Sequence, residues 1–347
     1  MAQEGRVDHE KLTAFAARAF KKMGVPEEDA WSTASILVAT DLRGIDSHGM
    51  PRLGHYIRGL KEGRINPTPE IKVLGSAPAT AVVDGDRGLG FVVGQRAMME
   101  AIRRAEAEGA GFITVRNSNH YGAGGNYSMM ALQYNMIGIS MTASPRGMEV
   151  PGSRGRGAGI NVISIAAPAG RETPFVLDMA TTVVAAGKME IAVRENKNVP
   201  EGWAVNTEGK PLLNPTKYGQ EGALLPLGGN IKTGAYKGFG LTVAVDILCR
   251  VLSGTAGNSM TLGNHFFGAL RIDSFLPTED FKKAMDAMVQ TYRSLPKAPG
   301  VDRITIAGEP EQAIENERRK NGIPLHPVVR AALQKMAGEI EIEYDLG

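Results

Sequence analysis

At 347 residues the chain is long enough to bury a large core, and its 43% hydrophobic and 22% charged content is that of a globular protein. A net charge of +2, with no basic tail or stripe, argues against nucleic acid or a membrane surface as a partner. The single cysteine, Cys249, excludes an internal disulfide and a thiolate-rich metal site, and its apolar surroundings over 241–252 predict a buried, inert thiol. The opening Met-Ala-Gln-Glu-Gly-Arg lacks the apolar core of a secretory leader, and no apolar run is long enough to cross a bilayer. A cytoplasmic location is the expectation.

Residues 8–23 set Leu12, Phe15, Ala16, Ala19, Phe20 and Met23 on one face, the rhythm of an amphipathic helix that Gly24 stops. Pro26, followed by Glu27, Glu28 and Asp29, predicts a second helix to about Leu42. A third is predicted over 47–60, ending at Gly63. The pattern then changes. Strands are predicted at Val73 and 81–83, a turn at Asp84-Gly85-Asp86, a helix over 91–108, a strand over 112–115 and a glycine-rich loop over 117–125. A short helix and an apolar segment over 137–142 follow, then strands over 161–167 and 175–178 and a helix over 181–193. Residues 196–235, rich in Gly, Pro and Asn, predict a long excursion across the surface. A buried helix over 239–252, a strand over 265–272, a helix over 278–294 and two helices around 310–338 complete the chain. The class is α/β, with 1–70 and 275–347 as helical ends that pack together around a segment 71–274.

Glycine, at 43 residues, makes chance motifs common. Gly88-Leu-Gly90-Phe-Val-Val-Gly94 follows a predicted strand and opens a helix, as a Rossmann phosphate loop does. Its third glycine is one position late, and the next strand runs into Arg116 and Asn117 rather than a ribose-binding acid. A helix entry beside a tight turn is the favoured reading. Gly155, Gly157 and Gly159, flanked by Arg154 and Arg156, suit an anion cradle or a solvated loop.

The densest chemistry lies in Asp41-Leu-Arg-Gly-Ile-Asp46-Ser47-His48-Gly49-Met-Pro-Arg52-Leu-Gly-His-Tyr56. On a helix, His48, Arg52 and Tyr56 form one stripe of imidazole, guanidinium and phenol. Arginine grips a carboxylate with two parallel N–H groups, and histidine moves a proton near neutral pH. A solvated helix face is the plainer alternative. A second cluster, Arg116-Asn-Ser118-Asn119-His120-Tyr121-Gly122, sits at a strand end, where ligand-binding groups and turn-capping histidines both occur. In a third segment, Phe175-Val-Leu-Asp178-Met-Ala-Thr181-Thr182, Asp178 ends an apolar strand and either orients a histidine or caps the following helix. His48 and His120 lack a nearby third ligand and no His-Glu-x-x-His helix exists, so no metal is expected.

In these segments the chain resembles the type-2 malate/L-lactate dehydrogenase family, which includes ureidoglycolate and sulfolactate dehydrogenases, diketogulonate reductase and cyclic imino-acid reductases. The match runs in order through 41–67 with its Gly-Ile-Asp-Ser-His-Gly core, 117–125, 176–187, 236–254 and Gly308-Glu309. The resemblance implies a non-Rossmann fold that binds NAD or NADP, with NAD favoured, and a homodimer whose cofactor cleft lies near the subunit interface. It makes His48 the proton donor with Ser47 beside it and Asp178 in support, Arg52 the carboxylate clamp, and Tyr56 and His120 substrate-pocket residues. Phe175, Val176, Leu177, Asp178, Met179, Ala180 and Thr181 match a cofactor-binding segment. Tyr236, Lys237, Gly308 and Glu309 match further cofactor contacts, and Ser144 is carried over with them. Two departures stand out: Gly159-Ile-Asn161-Val162 replaces a common Gly-Thr-Asn-Pro, and the region between Ser253 and His265 is short.

The implied reaction is hydride transfer between nicotinamide and C2 of a small 2-hydroxy or 2-oxo acid, malate-like by preference. Reduction of a cyclic imine such as piperideine- or pyrroline-2-carboxylate is a rival within the family, as are ureidoglycolate and sulfolactate oxidation. Arg146, Arg154 and Arg156 are candidates for a second carboxylate or a sulfonate, against the plain reading of solvated loop arginines. Outside enzymology, the same scaffold would serve as a non-catalytic small-molecule-binding protein.

Overall fold

The two helices expected near the N-terminus both form. In the computed structural model, which describes residues 5–75, 77–255 and 263–347, the Asp8 side chain caps helix α1 (His9–Lys22) by accepting the Glu10 and Lys11 amides. Helix α2 (Glu27–Leu42) carries Glu27, Glu28 and Asp29 in its first turn, where negative charge offsets the helix dipole. Leu12, Phe15 and Phe20 from α1 and Leu37 from α2 share one core with Leu333 and Met336 from the far end of the chain. The strands Gly5–Val7 and Ile323–Leu325 pair antiparallel above it. The two ends therefore pack together as expected.

A seven-stranded sheet forms the second layer. Its order is Lys72–Leu74, Thr80–Asp84, Ala110–Arg116, Asn264–Arg271, Met136–Ala143, Val162–Ala167, Phe175–Ala180. Within it only Thr80–Asp84 and Ala110–Arg116 run parallel, joined by helix α4 (Gly90–Glu108); every other pair is antiparallel. A doubly wound dinucleotide fold needs a run of parallel strands. This sheet is not one. The glycines at the start of α4 have another purpose: a β-carbon at Gly90 would stand 2.3 Å from the Asn119 carbonyl oxygen, so the residue lets α4 approach the 119–120 segment.

Two expected elements are corrected. Residues 196–235 are more than a surface excursion, because Val199, Ala204, Leu212 and Leu224 are buried with Met189 in a small core. Ala204–Val205 and Ala223–Leu224 join Arg146–Glu149 and Arg156–Gly159 in a four-stranded sheet over that core. The helix expected to be buried over 239–252 runs over Ala235–Asp246 and continues as a wider turn, Ile247–Val251. It buries Gly238, Thr242, Val245 and Cys249, but leaves Tyr236, Leu241, Val243, Ile247, Val251 and Leu252 exposed. Burial pushes the Cys249 thiol above its ordinary pKa, as an inert thiol requires.

No described helix is long and apolar enough to cross a membrane. Inside α4, the buried Arg104 donates to three carbonyls, those of Ala77, Pro78 and Thr80, and to Glu100. Arg104→Leu strands those acceptors and is expected to cost about 1.5–3 kcal/mol. A denaturant midpoint that moves by less than about 0.5 kcal/mol equivalent shows that water satisfies them instead.

Candidate active site

The segment after α2 is a turn, not the start of a helix. Residues 45–49 run through successive turns, Met50–Arg52 forms one tight 3-10 turn, and helix α3 (Leu53–Lys61) begins only then. This corrects the helix expected from Ser47, so His48, Arg52 and Tyr56 do not form one helical stripe. The cause is local. The buried Asp41 carboxyl accepts the Met50 amide at 2.6 Å, and a β-carbon at Gly49 would stand 2.1 Å from Asp41 Oδ1. Arg318, on the helix Glu309–Asn321, braces the same turn by donating to the Asp41 carbonyl oxygen at 2.5 Å and pairing with Asp46.

The turn still delivers its chemistry to one place. Ser47, His48, Arg52 and His120 line a cavity of about 860 Å³ between the helical layer and the sheet. His48 Nδ1 is 2.8 Å from Ser47 Oγ, and the His48 ring lies 5.6 Å from that of His120. Burial, reinforced by the Arg52 charge, lowers the His48 pKa to about 4, with Glu190 opposing. The imidazole is therefore neutral at neutral pH.

Arg52 Nε donates to the Ser47 carbonyl at 2.9 Å, and its Nη2 lies 2.9 Å from both oxygens of Glu190. Glu190, on the helix Ala186–Arg194, is a site residue that sequence reasoning missed; no motif or spacing marks it. Tyr56 stands behind the cavity, fully buried, with its hydroxyl 2.8 Å from His120 Nδ1. Burial raises the Tyr56 pKa, so its hydroxyl keeps the proton and donates a hydrogen bond to His120 Nδ1. The Gly122 amide donates to the same Nδ1 at 3.3 Å. His120, its pKa driven well below the ordinary value by burial, thus carries its hydrogen on Nε2.

Comparison with known proteins identifies the family. The family model for malate/L-lactate dehydrogenase matches residues 7–334. The chain belongs to the malate/L-lactate dehydrogenase family. It is 43% identical over 347 residues to a malate dehydrogenase of Pyrococcus horikoshii, covering 97% of this chain and 96% of that one. It is 39% identical over 335 residues to an L-sulfolactate dehydrogenase of Methanocaldococcus jannaschii, covering 94% of each. The crystal structure of a malate dehydrogenase from Entamoeba histolytica superposes with a TM-score of 0.94 at 32% identity, over 99% of this chain and 100% of that one. The chain is thus an oxidoreductase acting on CH–OH.

For this dehydrogenase the expected cofactor segment divides. Val176, Leu177, Asp178, Met179 and Ala180 line the cavity with Ser144 and Gly308. Phe175 and Thr181 do not line it; Thr181 is buried against Asn161 and Thr242. That bonding also delays the helix expected from 181, which begins at Ala186. Glu309 turns away from the cavity to Arg293 and Arg303. Tyr236 and Lys237 are exposed and outside the cavity of their own chain.

Asp178 lies inside its strand rather than at the end, and it does not bond to His48. Its Oδ2 accepts the Gly125 amide at 2.7 Å, and burial pushes its carboxyl up to about 6. Of the two sequence departures, Asn161 keeps a bridging role: its side chain accepts the Ser144 amide and donates to the Thr242 carbonyl, both at 2.9 Å. The second falls largely on 256–262, outside the described residues.

Long-range proton–nitrogen NMR on the ligand-free protein is expected to show His48 neutral from pH 8 down to 5, with its midpoint near pH 4. A midpoint at the ordinary histidine value of about 6.5 removes burial and Arg52 as controlling influences.

Proposed function

We propose that this enzyme interconverts a 2-hydroxy acid and its 2-oxo acid with NAD, and that malate and oxaloacetate are its preferred pair. The observation that carries the reading is the convergence of Ser47, His48, Arg52 and His120 on one cavity that glycines and a strand edge also line. The residues present fit a dinucleotide. Gly122, Gly124 and Gly125 keep the wall free of side chains; Val176 to Ala180 offer a strand edge; and Gly308 opens a 13-residue helix. Glu311, beside Gly308, favours ribose hydroxyls over a 2′-phosphate, which supports NAD over NADP. When bound, the cofactor takes up or supplies the hydride at C2.

The chain's own residues do the rest. Arg52 fixes the substrate carboxylate, which replaces or shares the place of Glu190. His48 takes the hydroxyl proton on Nε2 during oxidation, while its Nδ1–H donates to Ser47 Oγ. His120 Nε2–H, held by Tyr56, donates to the substrate oxygen. Charge couples these parts: a carboxylate on Arg52 offsets the positive field that disfavours an imidazolium, a part Glu190 plays in the ligand-free protein and the substrate takes over on binding. Asp178 has a cofactor-wall role through Gly125 in this scheme.

Absorbance at the reduced-nicotinamide band, with NADH and NADPH against 2-oxo acids and cyclic imines, tests the assignment. Oxaloacetate reduction with NADH is the expected result; activity on imines alone replaces the reading with the imine-reductase one. His48→Ala is expected to lower kcat by about 10²–10⁴-fold with cofactor Kd little changed. Arg52→Lys chiefly raises KM, because a point charge cannot replace a planar fork.

The exposed stripe Tyr236, Leu241, Val243, Ile247, Val251 and Leu252 supports a homodimer through this helix. Such docking carries Tyr236 and Lys237 of one protomer toward the cavity of its partner, which accounts for their distance from their own. Light scattering is expected to give a dimer that Ile247→Asp converts to monomer with a weaker cofactor affinity. A dimer that survives both Ile247→Asp and Val251→Asp places the interface elsewhere.

A further inference from the structure

Five cationic side chains other than histidine line the cavity: Arg43, Arg52, Arg146, Arg156 and Lys188. Three are already committed. Arg43 pairs with Glu315 at 3.2 Å, both side chains largely buried. Arg52 is held by Ser47 and Glu190. Arg156 donates to the Gly222 carbonyl at 2.6 Å and to the Tyr218 carbonyl, and its guanidinium lies 4.8 Å from the Tyr218 ring centroid. Lys188 and Arg146 have no ion-pair partner among the described residues.

These two uncommitted charges differ in place. Arg146 opens the strand Arg146–Glu149 on the wall made by the small sheet. Lys188 belongs to the helix Ala186–Arg194, which turns Gly187, Lys188 and Ile191 to the cavity. That helix is fastened to the chemical end of the cavity twice. A β-carbon at Gly187 would stand 2.4 Å from Ser47 Cβ, so helix and catalytic turn touch without a side chain between them. Two residues beyond Lys188, Glu190 grips Arg52. Lys188 is itself exposed to solvent, but as a cavity-lining cation with no ion-pair partner among the described residues it adds positive charge that favours an anion there.

We propose that Lys188 determines substrate specificity by pairing with a second negative group at the end of the 2-oxo acid opposite C1. The enzyme thereby selects a dianionic substrate, with a carboxylate or sulfonate at that end, over a monoanionic one. The proposal rests on the 2-hydroxy-acid reading above and adds to it the residue that reads the rest of the molecule. Lys188 makes no bond to the reacting atoms; its contribution is discrimination, expressed in KM for dianions.

The test compares kcat/KM for oxaloacetate and 3-sulfopyruvate with that for pyruvate and 2-oxobutyrate, in wild type, Lys188→Met, Lys188→Arg and Arg146→Met. Lys188→Met is expected to lower the dianion values by about 10–100-fold while the monoanion values change by less than about threefold. Lys188→Arg keeps most of the preference, and Arg146→Met leaves the dianion-to-monoanion ratio in place. An equal loss on both substrate types, a raised Kd for NADH in Lys188→Met, or a ratio that collapses in Arg146→Met instead each overturns the assignment. A wild type that reduces 2-oxo acids with no dianion preference defeats this inference alone. One that reduces none of them defeats the functional reading beneath it.

Discussion

One buried hydrogen bond, from the Met50 amide to the Asp41 carboxyl, holds the chemistry of this site together. A fully buried carboxyl must find a donor, and here the donor is a backbone amide nine residues along. Satisfying it folds the chain back over Asp41, which leaves no space for a side chain at Gly49 and stops α2 from continuing into α3. The fold-back turns the Ser47 carbonyl toward Arg52 Nε and leaves the Ser47 hydroxyl on His48. Arg318 reaches the same turn from the helix Glu309–Asn321, so the packing of the two chain ends is also what fixes this turn. Core and site are coupled through one residue.

The electrostatics follow from that placement. His48 and Arg52 share a partly enclosed space, and an unpaired guanidinium would make the imidazolium still less favourable. Glu190 relieves part of that field in the ligand-free protein. In the proposed scheme a substrate carboxylate takes the place of Glu190 on the same guanidinium, exchanging one counter-ion for another rather than creating a charge pair from nothing. The Tyr56–His120 pair is the uncharged counterpart: both groups are too deeply buried to ionise near neutrality, so they offer a fixed donor and no alternative protonation state.

Much of this was legible in the residues, for identifiable reasons. The helices α1 and α2 were legible because their apolar spacing and first-turn charges agree with the core they enter. The weakness of the Gly88–Gly94 motif was visible in its spacing, and those glycines prove to serve helix packing. The Ser47–Arg52 group was recognised as chemistry, yet its geometry was misread as a helix. Helical spacing and a turn closed by a distant carboxyl look alike until Asp41 is seen to be buried. Glu190 and Lys188 were invisible for a related reason: Glu190 meets Arg52, and Lys188 the cavity, only because a helix some 140 residues later in the chain docks on the turn. The small core under 196–235 was hidden because four apolar residues spread among glycines and prolines carry no period.

Asp178 shows why residue type and position in a strand do not determine a partner. An acid near a strand end, within a segment that resembles a cofactor site, is a natural mate for a histidine. Strand pairing decides otherwise: Asp178 lies opposite Ser164 in the register of the edge strand, beside the Gly124–Gly125 segment rather than His48. A β-carbon on either glycine would stand 3.2 Å from an Asp178 oxygen, so the bare backbone is what brings an amide within reach of the carboxylate. Ser47, already bonded to His48 Nδ1, takes the orienting place that an acid would otherwise fill. A hydroxyl there is neutral, so the imidazole is oriented without being given a permanent counter-ion. The charge that favours its protonated form comes instead from the carboxylate that occupies Arg52, which in the ligand-free protein is Glu190.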